Sequence, residues 1–191
     1  EQYEKVWKVK LPRRPGKPAT EVWENIMTGD IRGLYVFGED PAIADPNIGH
    51  VQEALKEVDF LLVQDIFLTE TAKLADVVLP AACFAEKDGT FTSTERRVQR
   101  VRKSVEPPGE ARPDWRIFTE LSQKMGYNMD YNSAEDVFEE VRELLPQYKG
   151  ITYQRLEAEG LQWPVPSQDH PGTPVLHTEK FTRGLGLFIP E

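Results

Sequence analysis

The chain has 191 residues, of which 39% are hydrophobic, enough to bury the core of one domain or of one domain with a long appendage. Its 32 acidic residues outnumber the 23 basic ones, for a formal net charge of -9. With no clustered basic run to meet a phosphate backbone, a nucleic-acid partner is not expected. The single cysteine, Cys83, can form neither an internal disulfide nor a metal or iron–sulfur site alone, and His50, His170 and His177 lie too far apart for ligand spacing. No apolar run is long enough to cross a membrane, so no direct membrane insertion is expected, and no signal peptide is visible.

Along the chain, residues 11–18 are polar and Pro-rich and read as an extended lead-in. Thr20 is placed to cap a short helix that runs to Met27, with Gly29 as its stop. Residues 34–37 form an apolar run closed by Gly38, which reads as a buried strand, and residues 41–46 read as a loop. Ile48, Val51, Leu55 and Val58 recur at helical spacing, residues 60–63 give a second strand, residues 69–75 a short helix, and residues 77–79 a third strand closed by Pro80. This order is the signature of an α/β fold, a parallel sheet with helical crossovers. The strand runs are apolar without alternation, as expected when both faces are covered.

Residues 91–94 and 97–101 are β-prone and read as a hairpin turning near Glu95-Arg96. The Arg96, Arg97, Arg100, Arg102 and Lys103 stretch suits one face of a strand. Asp114 opens a helical pattern that reaches Met125, with Gly126 as cap. Ser133 with Asp136 resembles a capping box; Val137, Val141 and Leu144 are its apolar stripe, and Pro146 ends it. Residues 152–159 fit a last short helix, after which no periodicity is strong. The organisation expected is a lead-in with a short helix over 1–30, an α/β region over 31–126, and a helical and irregular extension of the same domain over 127–191.

Ligands of such sheets sit beyond the carboxyl ends of the strands. Here those ends read Gly38-Glu39-Asp40-Pro41, Gln64-Asp65 and Pro80-Ala81-Ala82. There is no Gly-rich dinucleotide fingerprint and no phosphate loop. Backbone amides at helix N-termini could still meet phosphates. Asp40, Asp65 and Asp114 could accept from sugar hydroxyls and base N–H groups, because a carboxylate accepts and cannot donate. Guanine offers two adjacent donors that one carboxylate can take together. Each residue has a plainer use: Asp40 as a turn residue, Asp65 as a loop or capping residue, Gln64 as an ordinary strand-end residue, Asp114 as a helix N-cap. Glu86-Lys87-Asp88-Gly89-Thr90-Phe91 is either a turn at Asp88-Gly89, with Gly in positive φ, or a loop lying on a cofactor. Glu95-Arg96-Arg97 is a solvated cluster, a pair fixing the hairpin, or an Arg facing a phosphate. Cys83 reads as a buried apolar filler, and Trp115, Phe118 and Trp163 as core. From the residues alone the chain is an α/β domain with an acidic strand-end site suited to a nucleotide.

These same residues carry a family resemblance. Gly38-Glu39-Asp40-Pro41, Val63-Gln64-Asp65-Ile66-Phe67, Thr69-Glu70-Thr71-Ala72 and Ala75-Asp76-Val77-Val78-Leu79-Pro80 follow one another, then Glu86-Lys87-Asp88-Gly89-Thr90-Phe91, Glu95-Arg96-Arg97-Val98-Gln99 and Pro108-Gly109-Glu110-Ala111-Arg112-Pro113-Asp114-Trp115. The ordered set, over about residues 31–126, resembles the molybdopterin guanine dinucleotide oxidoreductases. Arg96-Arg97 resembles the formate dehydrogenases in particular, where nitrate reductases more often carry Gly first. Leu145-Pro146-Gln147-Tyr148-Lys149-Gly150-Ile151, Gly160-Leu161-Gln162-Trp163-Pro164, His170-Pro171-Gly172-Thr173 and Leu176-His177 with Phe181 also resemble the large (alpha) subunit of that enzyme. Ser93 departs where Asn is common, and Val165 where Cys is common.

The resemblance implies a nucleotide-binding α/β domain that helps hold one guanosine end of a bis-molybdopterin guanine dinucleotide carrying Mo or W. By motif position its contacts are Gly38, Glu39, Asp40, Gln64, Asp65 and Asp114; at Ala44 and Ala81, where some relatives have hydroxyl residues, only backbone contacts remain. The family's metal-ligating Cys or selenocysteine, its His and active-site Arg, and its iron–sulfur cysteines belong to other regions. No catalytic or metal-ligating residue is therefore expected here, and the chain alone is expected to be inactive. In the intact enzyme the substrate would be formate, oxidised to carbon dioxide, and the partners the remaining domains of the same subunit and electron-transfer subunits. Another molybdopterin oxidoreductase, such as a nitrate reductase, or a non-catalytic relative, such as the NADH dehydrogenase large subunit, is the alternative. The expected compartment is the cytoplasm, with the periplasm as the alternative because the N-terminus of the full protein is expected before residue 1.

Overall fold

The structure is a computed structural model that describes residues 2–179 and 181. By contacts the chain divides into two compact units, one of residues up to 88 with 102–132, the other of 89–101 with 133 onward. The hairpin expected inside the 31–126 region thus belongs with the C-terminal residues, and the short helix expected in the lead-in belongs with the α/β core. The last residues of the expected 127–191 extension lie outside the described ones.

The first unit begins with α1 (Gln2–Trp7), a helix that the Pro-rich lead-in did not announce. A 3-10 turn, Ala19–Glu21, runs straight into α2 (Val22–Met27). Thr20 sits inside that turn, and the capping position is taken by Pro18, without a side-chain cap. Gly29 does stop the helix, at φ +80, with its N–H on Ile26 O at 2.9 Å. Then come β1 (Gly33–Phe37), α3 (Pro41–Ala44), α4 (Ile48–Glu57), β2 (Phe60–Asp65), β3 (Val77–Pro80) and, later in the chain, α5 (Asp114–Lys124). The stretch expected as a loop after Gly38 holds α3, with Pro41 at its first position, where a missing N–H costs no helical hydrogen bond. The helix expected over 69–75 is only a 3-10 turn, Ala72–Leu74.

The strands pair in parallel in the order β1-β2-β3, with Phe37 beside Gln64 and Gln64 beside Leu79. Side chains alternate between two faces, and the cover expected on both is only partial, since Phe37 and the β3 residues Val77 and Val78 are exposed. Val36, Leu61 and Val63 point to one face, where they pack with Ile26 of α2 and Val51, Ala54 and Leu55 of α4. Fully burying one such aliphatic side chain stabilises by about 1.5–3 kcal/mol, so this layer anchors the unit. Tyr35 and Phe37 point to the other face, where both rings meet Phe118 of α5, at 5.8 and 5.2 Å between centroids.

The second unit pairs β4 (Gly89–Thr92) antiparallel with β5 (Arg97–Val101), and β5 with the two-residue β6 (Leu161–Gln162), a strand too short for the sequence pattern to announce. Gly89 opens β4 outside the left-handed region, so the turn expected at Asp88-Gly89 is absent; the positive φ of this hairpin falls on Arg96, at +69. α6 (Ala134–Leu144) starts with the reciprocal Ser133–Asp136 capping box. It buries Phe138 and Leu144, with Val141 partly covered, so its buried stripe is centred one residue after the expected Val137. α7 (Tyr153–Leu156) is shorter than the expected 152–159, and Thr152 caps it by accepting from Arg155 N–H. The core of this unit joins Val98, Phe138, Ile151, Leu156, Leu161 and Val165.

Candidate functional site

At the carboxyl edge of the parallel sheet the backbone itself builds the geometry. Gly38, at φ +64, turns the chain out of β1 while its N–H donates to Gln64 O at 2.9 Å. Beyond β3, Ala81 N–H donates to Asp65 O at 3.0 Å and Ala82 N–H to Arg112 O at 2.8 Å, while Arg112 N–H donates to Pro80 O at 3.2 Å. This strand-like pairing of 80–82 with Arg112 delivers Pro113 to the edge of the sheet, and α5 begins one residue later.

Asp114 is consequently the first residue inside α5, and Pro113 holds the cap position; the cap role considered for Asp114 is not the one it has. Its two oxygens are both engaged. Gln64, fully buried, donates from Nε2 to Asp114 Oδ1 at 2.8 Å. The Lys87 ammonium donates to Oδ2 and forms an ion pair; the side chains of Lys87 and Asp114 are 21% and 24% exposed. Gln64 Oε1 in turn accepts from the Tyr35 hydroxyl. Burial, and then the negative charge of Asp114, push the Tyr35 phenol above its ordinary pKa, so it stays a donor. Gln64 and Lys87 thus donate to one carboxylate, and Tyr35 donates to Gln64 behind it.

The other expected residues are placed differently. Asp40 turns inward: its carboxylate accepts from Thr71 Oγ1 at 2.6 Å, Thr71 N–H at 2.9 Å and, more weakly, Glu70 N–H at 3.4 Å. The buried Thr71 hydroxyl then accepts from Ala42 N–H at 3.0 Å, so the first turn of α3 spends an amide inside the protein. Burial raises the Asp40 pKa, yet the Thr71 hydroxyl and amide, the Glu70 amide and the Lys73 charge together hold it below the ordinary value. Asp65 folds onto its own loop, accepting from Phe67 N–H at 2.9 Å. Glu39 is exposed. The Ala81 N–H is used on Asp65 O, and Ala44 is exposed. The structure thus brings Gln64 and Asp114 into contact and leaves Asp40 and Asp65 on separate partners.

Two participants carry little signal of their own in the sequence. Lys87 lies in a quoted motif but gave no sign of pairing with a residue 27 positions on. Tyr35 lies in an apolar run, and its hydroxyl between Leu34 and Val36 is the available signal. In the second unit, Arg96 donates to the carbonyls of Trp163, Thr173 and Pro174 and lies over the Trp163 ring, while Arg97 pairs with Glu95 and reaches Gly160 O, so both arginines fix the hairpin. Cys83 is half-buried and caps the 3-10 turn Phe84–Glu86, with its N–H on Glu86 Oε2 at 2.9 Å, so it is no buried filler. A groove of about 360 Å3 between β3 and α5 is lined by Leu79, Pro80, Ile117 and Leu121 and by none of the candidate residues. Among the described residues no group of three or more His, Cys, Asp or Glu could hold a metal ion, and no helix is long and apolar enough to cross a membrane.

In a parallel α/β unit of this kind, ligands sit beyond the carboxyl ends of the strands, which is where Gln64 and Asp114 meet. The chain belongs to the molybdopterin oxidoreductase family, whose profile matches residues 2–124. It is 53% identical to the F420-dependent formate dehydrogenase subunit alpha of Methanocaldococcus jannaschii, over 98% of this chain and 28% of that protein. It is also 53% identical to the F420-dependent formate dehydrogenase 2 subunit alpha of Methanococcus maripaludis, over 100% of this chain and 29% of that protein. The chain therefore spans under a third of the length of these relatives. The acetylene hydratase from Pelobacter acetylenicus shares the fold, with a TM-score of 0.62 at 19% identity, over 74% of this chain and 20% of that one.

The family implies a molybdopterin cofactor, and the residues present fit its nucleotide end. Asp114 offers only acceptors, and guanine N1–H and N2–H and ribose hydroxyls are donors. Lys87, the cation beside Asp114, is already paired with it, so these residues suit a base or sugar better than a diphosphate.

Proposed function

We propose that this chain is the cofactor-binding α/β part of a formate dehydrogenase alpha subunit and that it holds one guanosine end of a bis-molybdopterin guanine dinucleotide. The observation that carries the reading is the Asp114 carboxylate, held at the strand ends by Gln64 and Lys87 with one lone pair left on each oxygen. Gly38, Glu39 and Asp65 line the same edge and are proposed as further contacts to the sugar and base. Gln64 contributes through Asp114, and Asp40 by fixing the loop that follows Gly38 to Thr71. When bound, the Mo or W of the cofactor supplies the two-electron oxidation of formate to carbon dioxide. The residues of this chain place and orient; none of them is proposed to move a proton or an electron. The partners in this reading are the remaining domains of the subunit, which carry the metal ligand and iron–sulfur clusters, and electron-transfer subunits; the compartment is the cytoplasm. The names of both formate dehydrogenase relatives make F420 the first electron acceptor to test.

The test is Asp114→Asn in the full-length subunit. It turns one acceptor into a donor facing a donor, at a cost of about 1–3 kcal/mol, roughly tenfold to a hundredfold in affinity for that end. The purified variant is expected to yield less GMP per subunit on acid hydrolysis than the wild type. Full GMP content together with unchanged activity would overturn the assignment.

A further inference from the structure

We propose that Tyr35 is a positioning residue for base recognition, acting through the buried amide of Gln64 on the carboxylate of Asp114. The inference deepens the reading of Asp114 as the base-recognising acid and rests on it.

The argument is one of hydrogen-bond polarity. An ionised carboxylate only accepts, so Gln64 must present its Nε2 to Asp114. That choice turns Gln64 Oε1 toward β1, in a place where the residue is fully buried and no solvent can serve it. The hydroxyl of Tyr35 meets it there. Without that donor, Oε1 would be a buried acceptor with no partner, and the amide could relieve this only by rotating. Rotation would swing Nε2 off Asp114 and set an oxygen against a carboxylate. Tyr35 therefore controls the orientation of Asp114 from two hydrogen bonds away.

The ring of Tyr35 is held independently of its hydroxyl. It packs on Phe118, which stands one helical turn after Asp114 on α5. Replacing Tyr35 by Phe thus deletes the hydroxyl and keeps the packing. Lys87 fixes Oδ2 from its own loop, so the loss falls on Oδ1 alone. A carboxylate pinned on one oxygen can pivot about the other, and a pivoting acceptor reads one donor as well as two. Tyr35 should therefore govern how well guanine, with two adjacent donors, is told from hypoxanthine, which lacks the exocyclic amine, although it touches neither.

The experiment is a calorimetric titration of the full-length, cofactor-free subunit with GDP and IDP, for the wild type, Tyr35→Phe, Asp114→Asn and the double variant. The ratio of the two affinities cancels any change in the folded fraction. The wild type is expected to prefer GDP by about tenfold, the worth of one well-made hydrogen bond to a charged group. Tyr35→Phe should reduce that preference to about threefold or less, and Asp114→Asn should abolish it. The double variant should match Asp114→Asn, because Tyr35 acts only through Asp114. A Tyr35→Phe variant that weakens both nucleotides equally and keeps the wild-type ratio would overturn the proposal and leave the Asp114 reading standing. A wild type without preference for GDP over IDP would overturn the Asp114 reading itself, and the proposal with it.

Discussion

Substituting Asn for Asp114 has a cost to the fold that can be worked out before any cofactor is added. A residue that only caps a helix would tolerate the change, since Asn caps about as well as Asp. Asp114 lies inside α5 instead, with its oxygens on Gln64 and Lys87. Asn offers one oxygen and one NH2. If the oxygen faces Gln64, the NH2 faces the Lys87 ammonium, and Lys87, 21% exposed, must turn to water. If the NH2 faces Gln64, the amide of a fully buried residue must flip and the Tyr35 hydroxyl loses its acceptor. The first arrangement is the cheaper. It forfeits a charge-assisted bond worth about 1.5–3 kcal/mol when buried, reduced here to about 1–2 kcal/mol by partial exposure. Loss of a negative charge from the first turn of the helix adds a few tenths, about 0.3–1 kcal/mol. For a chain of this size each kcal/mol is worth roughly 2–4 °C in Tm, so the nucleotide-free variant should melt about 3–10 °C below the wild type by circular dichroism. Lys87→Met in the Asn background should cost less than about 0.5 kcal/mol more, because its bond is already gone. An Asp114→Asn chain that melts with the wild type would refute the reasoning and return Asp114 to the surface.

The parts of the fold that could be read from the sequence are those fixed by local pattern. β1, β2 and β3 were visible because each is built on a short apolar run, and they pair in parallel as the order of elements implies, whereas their register is seen only in the structure. The Ser133 capping box was visible because its two partners are three residues apart. What was not visible depends on distant residues. β6 is two residues long and exists because β5 offers an edge, and Arg96 finds its carbonyl partners 67 to 78 positions away. The candidate site divides in the same way. Asp114 and Gln64 could be singled out as acids or amides at strand and helix ends, but their contact spans 50 positions, and the Tyr35 hydroxyl and Lys87 join them only in three dimensions. Asp40 was legible as a polar residue after β1, whereas its inward turn onto Thr71 depends on a segment 31 residues on.

Three further outcomes are expected. The chain alone, supplied with molybdate or tungstate, should not reduce a dye with formate, and measurable turnover by purified chain would contradict the placement role. Gly150→Ala should disrupt the second unit, since a Cβ there would sit 2.0 Å from Ser167 O and 2.8 Å from Val165 O, both backbone atoms. The clash and the loss of the Gly150 N–H bond to Val165 O should cost about 3 kcal/mol or more, and a wild-type urea midpoint for that unit would show the packing to be loose. The last outcome concerns acid. Asp40 has its pKa held below the ordinary carboxylate value, with burial opposing and the Thr71 and Glu70 donors and Lys73 prevailing. A carboxyl group whose pKa is lower folded than unfolded adds stability that is complete well above its unfolded pKa of about 4 and fades as pH falls through the folded value. Asp40→Asn keeps one acceptor for Thr71 but loses the charge, so it should be less stable than the wild type at pH 7. The difference, on the order of 1 kcal/mol for hydrogen bonds to a half-exposed charge, should shrink as the pH is lowered past about 4, because the wild type then carries a neutral acid at the same place. Urea midpoints of both proteins at a series of pH values measure this directly, and other acids such as Glu120 cancel because both proteins carry them. A gap that stays constant or widens on acidification would mean that the Asp40–Thr71 link contributes through shape alone and that its charge has no part in holding the loop after β1.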